Sequence, residues 1–522
     1  MSRTKLANVL NEAGGVPNYW QAQNDSVQPD PIIPGALDEG RIVAIKDKDG
    51  NIVEGYASLK DAANAVKDGQ TIVLEEDITL DETLVINGDK EVTLDLNGNV
   101  LSLKEDVNKA LIIVGDKTNG KDKTVLTLTD TALLKGGIKC TASATGIFVS
   151  KGASMTTKNV NISFEDKDAS AANIAVAVQG ILTVEKGTKI DSSEYAIGGL
   201  ANSKVVINDG EITAKYAAAG GNGTWQDTEI VINGGTLIST EGAAIYHPQR
   251  GKLTLNGGTI KGLTGVQMCA GELDIPADST VKVIATGEDK RTDKGAGDGA
   301  IMDGAAISIV NRDYPGGMPS ASINGGTFVS EKTDHAVLAY TWNAKAEGDK
   351  HSKWDEAGDH VAISGGLYNT PIDEELLADG FVLNEPDKDG NYGVHKHDMT
   401  KFEKKEPTCT EEGLSKTYYK CNICGKYYED EVGDVELTDI DSLVIPAKGH
   451  NFVDGKCTVC GAAQPGYVPE GQGGDQDNQG NNQGNTGNQD NAGNNGNAQN
   501  NNQNGDNVQT GDFHKKSSVG FF

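Results

Sequence analysis

The chain has 522 residues, of which 76 are acidic and 46 basic, for a net charge of −30. That excess argues against a nucleic-acid partner and for a soluble, self-repelling surface. It is compatible with Ca²⁺, but no specific motif marks a Ca²⁺ site, and solvation is the plainer reading. The length allows two or three domains, and 66 glycines without a collagen period, with only 5% aromatics, suit thin coils filled by aliphatic side chains.

Residues 1–40 lack the apolar core of a signal peptide, and no stretch approaches the roughly 18 apolar residues of a membrane span. Pro29, Pro31 and Pro34 instead mark a flexible leader. A short helix is predicted from Ser58 to Val66. Ser58 is a good N-cap, Asp61 stands three residues on, and Leu59, Ala62, Ala63 and Val66 form one apolar stripe ending at Lys67-Asp68-Gly69. The strand Thr71–Leu74 follows at once. Short β-branched or alternating runs continue at Val92–Leu96, Val125–Leu128, Ile181–Val184 and Val205–Ile207, then Glu229–Ile232 and Lys252–Leu255. A second strand per unit is read at Ala196-Ile197, Ala243–Tyr246, Gly265–Met268 and Ala306–Ile309.

One phrase recurs in phase: Ile232-Asn233-Gly234-Gly235, Leu255-Asn256-Gly257-Gly258, Ile323-Asn324-Gly325-Gly326 and Ile363-Ser364-Gly365-Gly366, with a looser copy at Ile207–Gly210. Adjacent glycines permit a sharp corner in a strand. The spacing of about 23 to 25 residues between the early copies means a solenoid whose units bury their apolar faces only against neighbours. A β-sandwich also has many short strands, but it does not require a corner phrase in phase. The fold expected is all-β, a parallel β-helix with the Ser58–Val66 helix covering its open end.

The order Ser58-Leu59, Ala62, Ala65, then glycine, Thr71-Ile72 and a strand ladder resembles the start of the right-handed parallel β-helix (pectin-lyase-like) superfamily. Here the glycine, Gly69, falls one residue later than in that pattern. The resemblance implies a right-handed β-helix over about residues 41–395 and says almost nothing of function. Polysaccharide-active members place acidic groups, often with Ca²⁺ and an Arg or Lys, on one strand face. No paired Asp-Asp or Asp-x-x-Asp rung of that type is visible, so no catalytic residue is assigned. The unusual side chains collect in Tyr246–Arg250, in the insertion Asp289–Pro319 (Asp298, Asp303, Arg312, Asp313, Tyr314), and from Tyr340 through Trp342, His351, Trp354 and His360. Exposed aromatics with His and Arg on a rigid scaffold are what a sugar groove uses, and they are also ordinary loop composition. Tyr246, His247, Arg250, Arg312, Tyr340 and Trp342 are the candidate ligand-binding residues.

Five of the seven cysteines lie between Cys409 and Cys460. Cys421-x-x-Cys424-Gly and Cys457-x-x-Cys460-Gly are knuckles that turn two thiolates toward one Zn²⁺. Two ligand sets compete: Cys421, Cys424, Cys457 and Cys460, or Cys409, Cys421, Cys424 and His450, with His397 a further candidate. Disulfides are the alternative in an oxidising compartment. The segment 396–464 resembles a Cys/His module of Gram-positive surface proteins, with His397, Thr408–Gly413, Cys421–Gly425 and Ala447–His450 in its order. A segment this poor in large apolar residues needs a staple to fold, so the Zn²⁺ role is structural. Cys140 and Cys269 read as small core residues.

Residues 465–522 form a polar tail, almost pure Asn, Gln, Gly and Asp from Gly471 to Asn507, which cannot build a core. Val508-Gln509-Thr510-Gly511-Asp512 resembles the sorting signal of sortase-anchored Gram-positive proteins, without its proline pair, its apolar span or its basic end. Truncation and chance likeness are the two explanations. Two functions are then expected. One is a non-catalytic, adhesin-like or carbohydrate-binding surface protein on a wall-spanning stalk, meeting glycans or a host or neighbouring cell. The alternative is a secreted polysaccharide lyase or glycoside hydrolase.

Overall fold

Each Asn-Gly-Gly corner is built from two different demands on glycine. A Cβ on Gly257 would lie 2.7 Å from the Asn233 carbonyl oxygen of the coil beneath, and Gly258 has a φ of +91°. The first position needs close backbone approach and the second a left-handed conformation, so neither tolerates a side chain easily. The corner side chains also stack. Asn256 Nδ2 donates to Asn233 Oδ1 (2.7 Å), Asn233 Nδ2 to Asn208 Oδ1 (2.8 Å), and Asn208 Nδ2 to Glu185 Oε1 (2.8 Å).

The computed structural model describes residues 40–469 except 106, 119, 143–144, 168–172, 292–298, 348 and 434. The leader before residue 40, Asp298, the Gly471–Asn507 spacer and the Val508–Asp512 motif lie outside the described residues. Three long sheets carry the fold. Two have 13 strands and one has 11, and their strand orders step through the chain three strands at a time. Pairing between successive coils is parallel and in register: Ile207 opposes Ile232, Ile232 opposes Leu255, Ile275 opposes Ile323, and Ile323 opposes Ile363. All six side chains are fully buried. The inward positions form one continuous, mostly aliphatic core from Val43 to Leu376. This is a parallel β-helix.

Both ends are closed by antiparallel structure, which the expected boundaries did not resolve. Val43–Lys46 and Ile52–Tyr56 form a hairpin that pairs antiparallel with Gln70–Leu74. The helix Leu59–Ala65 follows with Ser58 as its N-cap, the Ser58 hydroxyl accepting from the Asp61 amide at 3.3 Å. Leu59, Ala62 and Ala63 are buried against the first coils. Thus the exposed strand edge is covered. At the far end Phe381–Leu383 and Tyr392–Lys396 add antiparallel strands to the second sheet.

After the solenoid come a four-stranded antiparallel sheet (Met399–Phe402, Tyr418–Cys421, Tyr427–Tyr428, Glu436–Leu437) and the pair Gly413–Leu414 with Val444–Ile445. The chain divides into two compact units between Lys448 and Gly449. Among the described residues of the second unit is one small hairpin, Phe452–Val453 with Lys456–Cys457. No helix among the described residues is long and apolar enough to cross a membrane.

Candidate functional site

The outer face of the third sheet carries an aromatic cleft. Its outward row runs Ala177, Gly198, Gly220, Tyr246, Gln267 and Ser308, fixed by register from coil to coil. Two adjacent coils therefore present glycine where neighbours present side chains, and the sheet is hollowed there. A Cβ on Gly198 would come within 2.6 Å of Ile174 Cδ1. The hollow has a volume of about 330 Å³ and is walled by Tyr195, Trp225, Tyr246 and Tyr314, with Asn222 and Thr224 at its polar side. None of the described residues lining it is charged.

The aromatic walls are held by a buried polar frame. Tyr246 and Tyr314 share a hydroxyl–hydroxyl hydrogen bond of 3.0 Å. Arg312 donates to the Tyr246 hydroxyl (3.2 Å) and to the Gly299 carbonyl (2.5 Å). Its guanidinium also sits 4.4 Å from the Trp342 ring and 4.8 Å from the Tyr314 ring. Behind them, the fully buried Asp303 carboxylate accepts from Thr264 Oγ1 (2.9 Å), Tyr340 OH (3.0 Å), Ser308 Oγ and the Ala305 amide. Desolvation pushes the Asp303 carboxyl upward against those hydrogen bonds. Burial likewise drives the Tyr246 phenol well above its ordinary value, so it stays protonated as a donor.

Of the six residues expected to bind ligand, Tyr246, Arg312, Tyr340 and Trp342 converge in this cluster, and His247 and Arg250 do not. Tyr246, Tyr340 and Trp342 are strand residues and only 2–6% exposed, in contrast to the exposed loop aromatics expected. His247 points inward, because Ile245 and His247 share the face opposite Tyr246. Its Nδ1 donates to the Ala270 carbonyl at 3.1 Å, and Nε2 has no partner among the described residues. Desolvation lowers its pKa to about 4. Arg250 is exposed and forms a fork on Asp227 (2.8 and 2.9 Å), a surface pair of small energetic weight. The residues missed were Tyr195, Gly198, Gly220 and Trp225. Only coil-to-coil register brings them beside Tyr246.

The Cys/His residues form a cluster in each unit. In the first, the donor atoms of His395, His397, Cys421 and Cys424 all lie within 4.8 Å of one another. The Cys421 knuckle is set by the Gly425 amide on the Cys421 carbonyl (3.0 Å), with Gly425 at a φ of +75°. Burial opposes ionisation of Cys421. The amide of Cys424, the His397 ring and the amide of Ile423 outweigh it and bring the thiol down to about 5. In the second unit, the donors of His450, Cys457 and Cys460 converge within the same distance, on an identically built knuckle closed by Gly461. The amides of Cys460 and Val459, then the His450 ring, lower the Cys457 thiol to about 5. Both ligand sets read from spacing leave out His395, which the structure adds. Cys409 is buried in the first unit, beside the turn at Thr408–Glu411. Each cluster has donors that could hold a metal ion.

No family model matches this chain. Neither does any curated protein or any solved structure. Function therefore rests on the cleft and the Cys/His clusters.

Proposed function

We propose that this is a non-catalytic surface protein whose β-helix binds a neutral glycan in the cleft beside Tyr246. The observation that carries the reading is the hollow made by Gly198 and Gly220 in an aromatic wall without charged lining residues. Apolar ring faces with a few fixed hydrogen-bonding groups suit the alternating CH and OH surfaces of a sugar. A net charge of −30 disfavours polyuronates, which the rival polysaccharide lyases cleave. The polar groups behind the cleft are engaged with one another, Asp303 through five hydrogen bonds to its carboxylate and Arg312 against the aromatic rings, which suits a rigid binding wall. The Asn/Gln/Gly spacer and the sortase-like Gln-Thr-Gly-Asp support extracellular display at a Gram-positive cell wall, in an adhesin-like role toward host or neighbouring cells.

The metal of the Cys/His clusters is read as Zn²⁺ in a structural role. Mixed imidazole and thiolate donors suit it, and the first cluster supplies four, the tetrahedral number. A tetrahedron with ordinary Zn–S and Zn–N bonds has an S···N edge of about 3.6 Å. Cys421 Sγ lies 3.7 Å from His395 Nε2, and Cys460 Sγ 3.4 Å from His450 Nδ1.

The test is retention of the full chain on immobilised neutral polysaccharides against polyuronates, with Trp fluorescence titration. Trp225→Ala should weaken binding at least tenfold while leaving the fold intact. Equal retention of Trp225→Ala defeats the cleft. New reducing ends or unsaturated products would make the protein an enzyme.

A further inference from the structure

We propose that His395, His397, Cys421 and Cys424 hold one metal ion that locks the last strand of the solenoid to the antiparallel sheet that follows it. His395 lies on Tyr392–Lys396, which closes the second sheet by pairing with Leu367–Tyr368 and Phe381–Leu383. Cys421 ends Tyr418–Cys421, which pairs with Met399–Phe402, and Met399 opposes Cys421. Only His397 and Asp398 separate the two strands Tyr392–Lys396 and Met399–Phe402. The four donors thus come from both sides of a two-residue connection. A metal there would be a joint between two folded parts, where a ribbon-type site would staple only one.

The imidazoles are placed for ligation and for little else. His395 Nδ1 and both ring nitrogens of His397 have no hydrogen-bond partner among the described residues. Buried polar nitrogens without partners are costly, and a bound metal would satisfy one on His397, while His395 would ligate through Nε2, the nitrogen 3.7 Å from Cys421 Sγ. His397 is wedged between the Tyr428 ring (centroids 4.6 Å apart) and the backbone of Gly433. A Cβ at Gly433 would sit 2.3 Å from His397 Cδ2, so glycine is what allows the loop to hold the ring.

Packing alone leaves this joint loose. A cavity of about 650 Å³ lies beside it, lined by both imidazoles, Cys424, Tyr428, Phe381 and Leu383. The ion pair across it, Lys426 with Glu385 at 3.6 Å, is largely exposed and contributes little. Metal coordination supplies the rigidity that apolar burial does not.

This inference rests on the zinc reading above and adds the ligands and their mechanical role. The full chain, purified without chelator, is assayed for metal content and, after Co²⁺ exchange, for the visible absorption of a tetrahedral thiolate site. His395→Gln and Cys424→Ser should each lose one ion per chain, whereas Cys457→Ser keeps the Co²⁺ spectrum of this site. Chelation should speed amide exchange at least tenfold in Tyr392–Lys396, Met399–Phe402 and Tyr418–Cys421. Exchange in the coils from Lys204 to Ala285 should stay unchanged, which also shows that the variants fold. A chain with no metal at all defeats the zinc reading and this one together. Undiminished metal in His395→Gln defeats the ligand set alone, and unchanged exchange on chelation defeats the joint.

Discussion

Asn256 donates its side-chain amide to Asn233 across one coil, and Asn233 passes the same bond on to Asn208. The corner asparagines are therefore one ladder, and Asn233 is its middle rung, donor and acceptor at once. Asn233→Ala breaks two hydrogen bonds on an exposed corner. With each such bond worth about 0.5–1.5 kcal/mol net, the loss should be about 1–3 kcal/mol. Urea unfolding would show it as a lower midpoint with unchanged slope.

His247 makes stability depend on pH. Its pKa falls from 6.5 unfolded to about 4 folded because burial disfavours the imidazolium. The unfolded chain therefore takes a proton first as pH drops. Stability is fully present above pH 6.5 and is lost as pH falls toward 4, by at most about 3 kcal/mol. His247→Leu removes the titrating group and the unpartnered Nε2, so the acid limb of a stability–pH curve between those values should flatten. An unchanged curve would sink this account.

Arg312 should matter to the cleft without lining it. Its planar fork stacks on Trp342 and Tyr314 and reaches Tyr246. Arg312→Lys keeps the charge but loses the plane, so it should weaken glycan retention nearly as much as Arg312→Ala. If Lys restores binding, charge alone is what the wall requires.

Cys140 is buried and desolvation pushes its thiol up to about 11. A thiol held protonated at neutral pH is a poor nucleophile. Native protein treated with a disulfide reagent should leave Cys140 unmodified, and denaturant should expose it. Rapid labelling in the native state would contradict its place in the second sheet.

The corners were legible because each Asn-Gly-Gly names a backbone that other residues resist, and the phase of its copies leaves little choice of architecture. The N-cap at Ser58 was legible for the same local reason. The cleft was not. Gly198 and Gly220 are unremarked in sequence, and they become a hollow only when parallel register sets them in a row with Tyr246. His247 was misplaced by grouping it with its chain neighbours. Counting alternate residues from the inward Ile245 puts it inside. His395 was passed over because it falls before the Cys/His phrase, on the solenoid side of the expected boundary. The spacing His395-x-His397 is the signal that two imidazoles can share one side of an extended chain.

Each coil bonds only to the coils before and after it, and the corner is the same piece of chain each time. Duplication of a stretch from one corner to the next would therefore insert a coil without disturbing either closed end. Each such event lengthens the solenoid by one strand spacing, about 4.8 Å. The distance between the capped start and the Cys/His end is then a trait that heredity can tune in even steps, by copying about two dozen codons at a time.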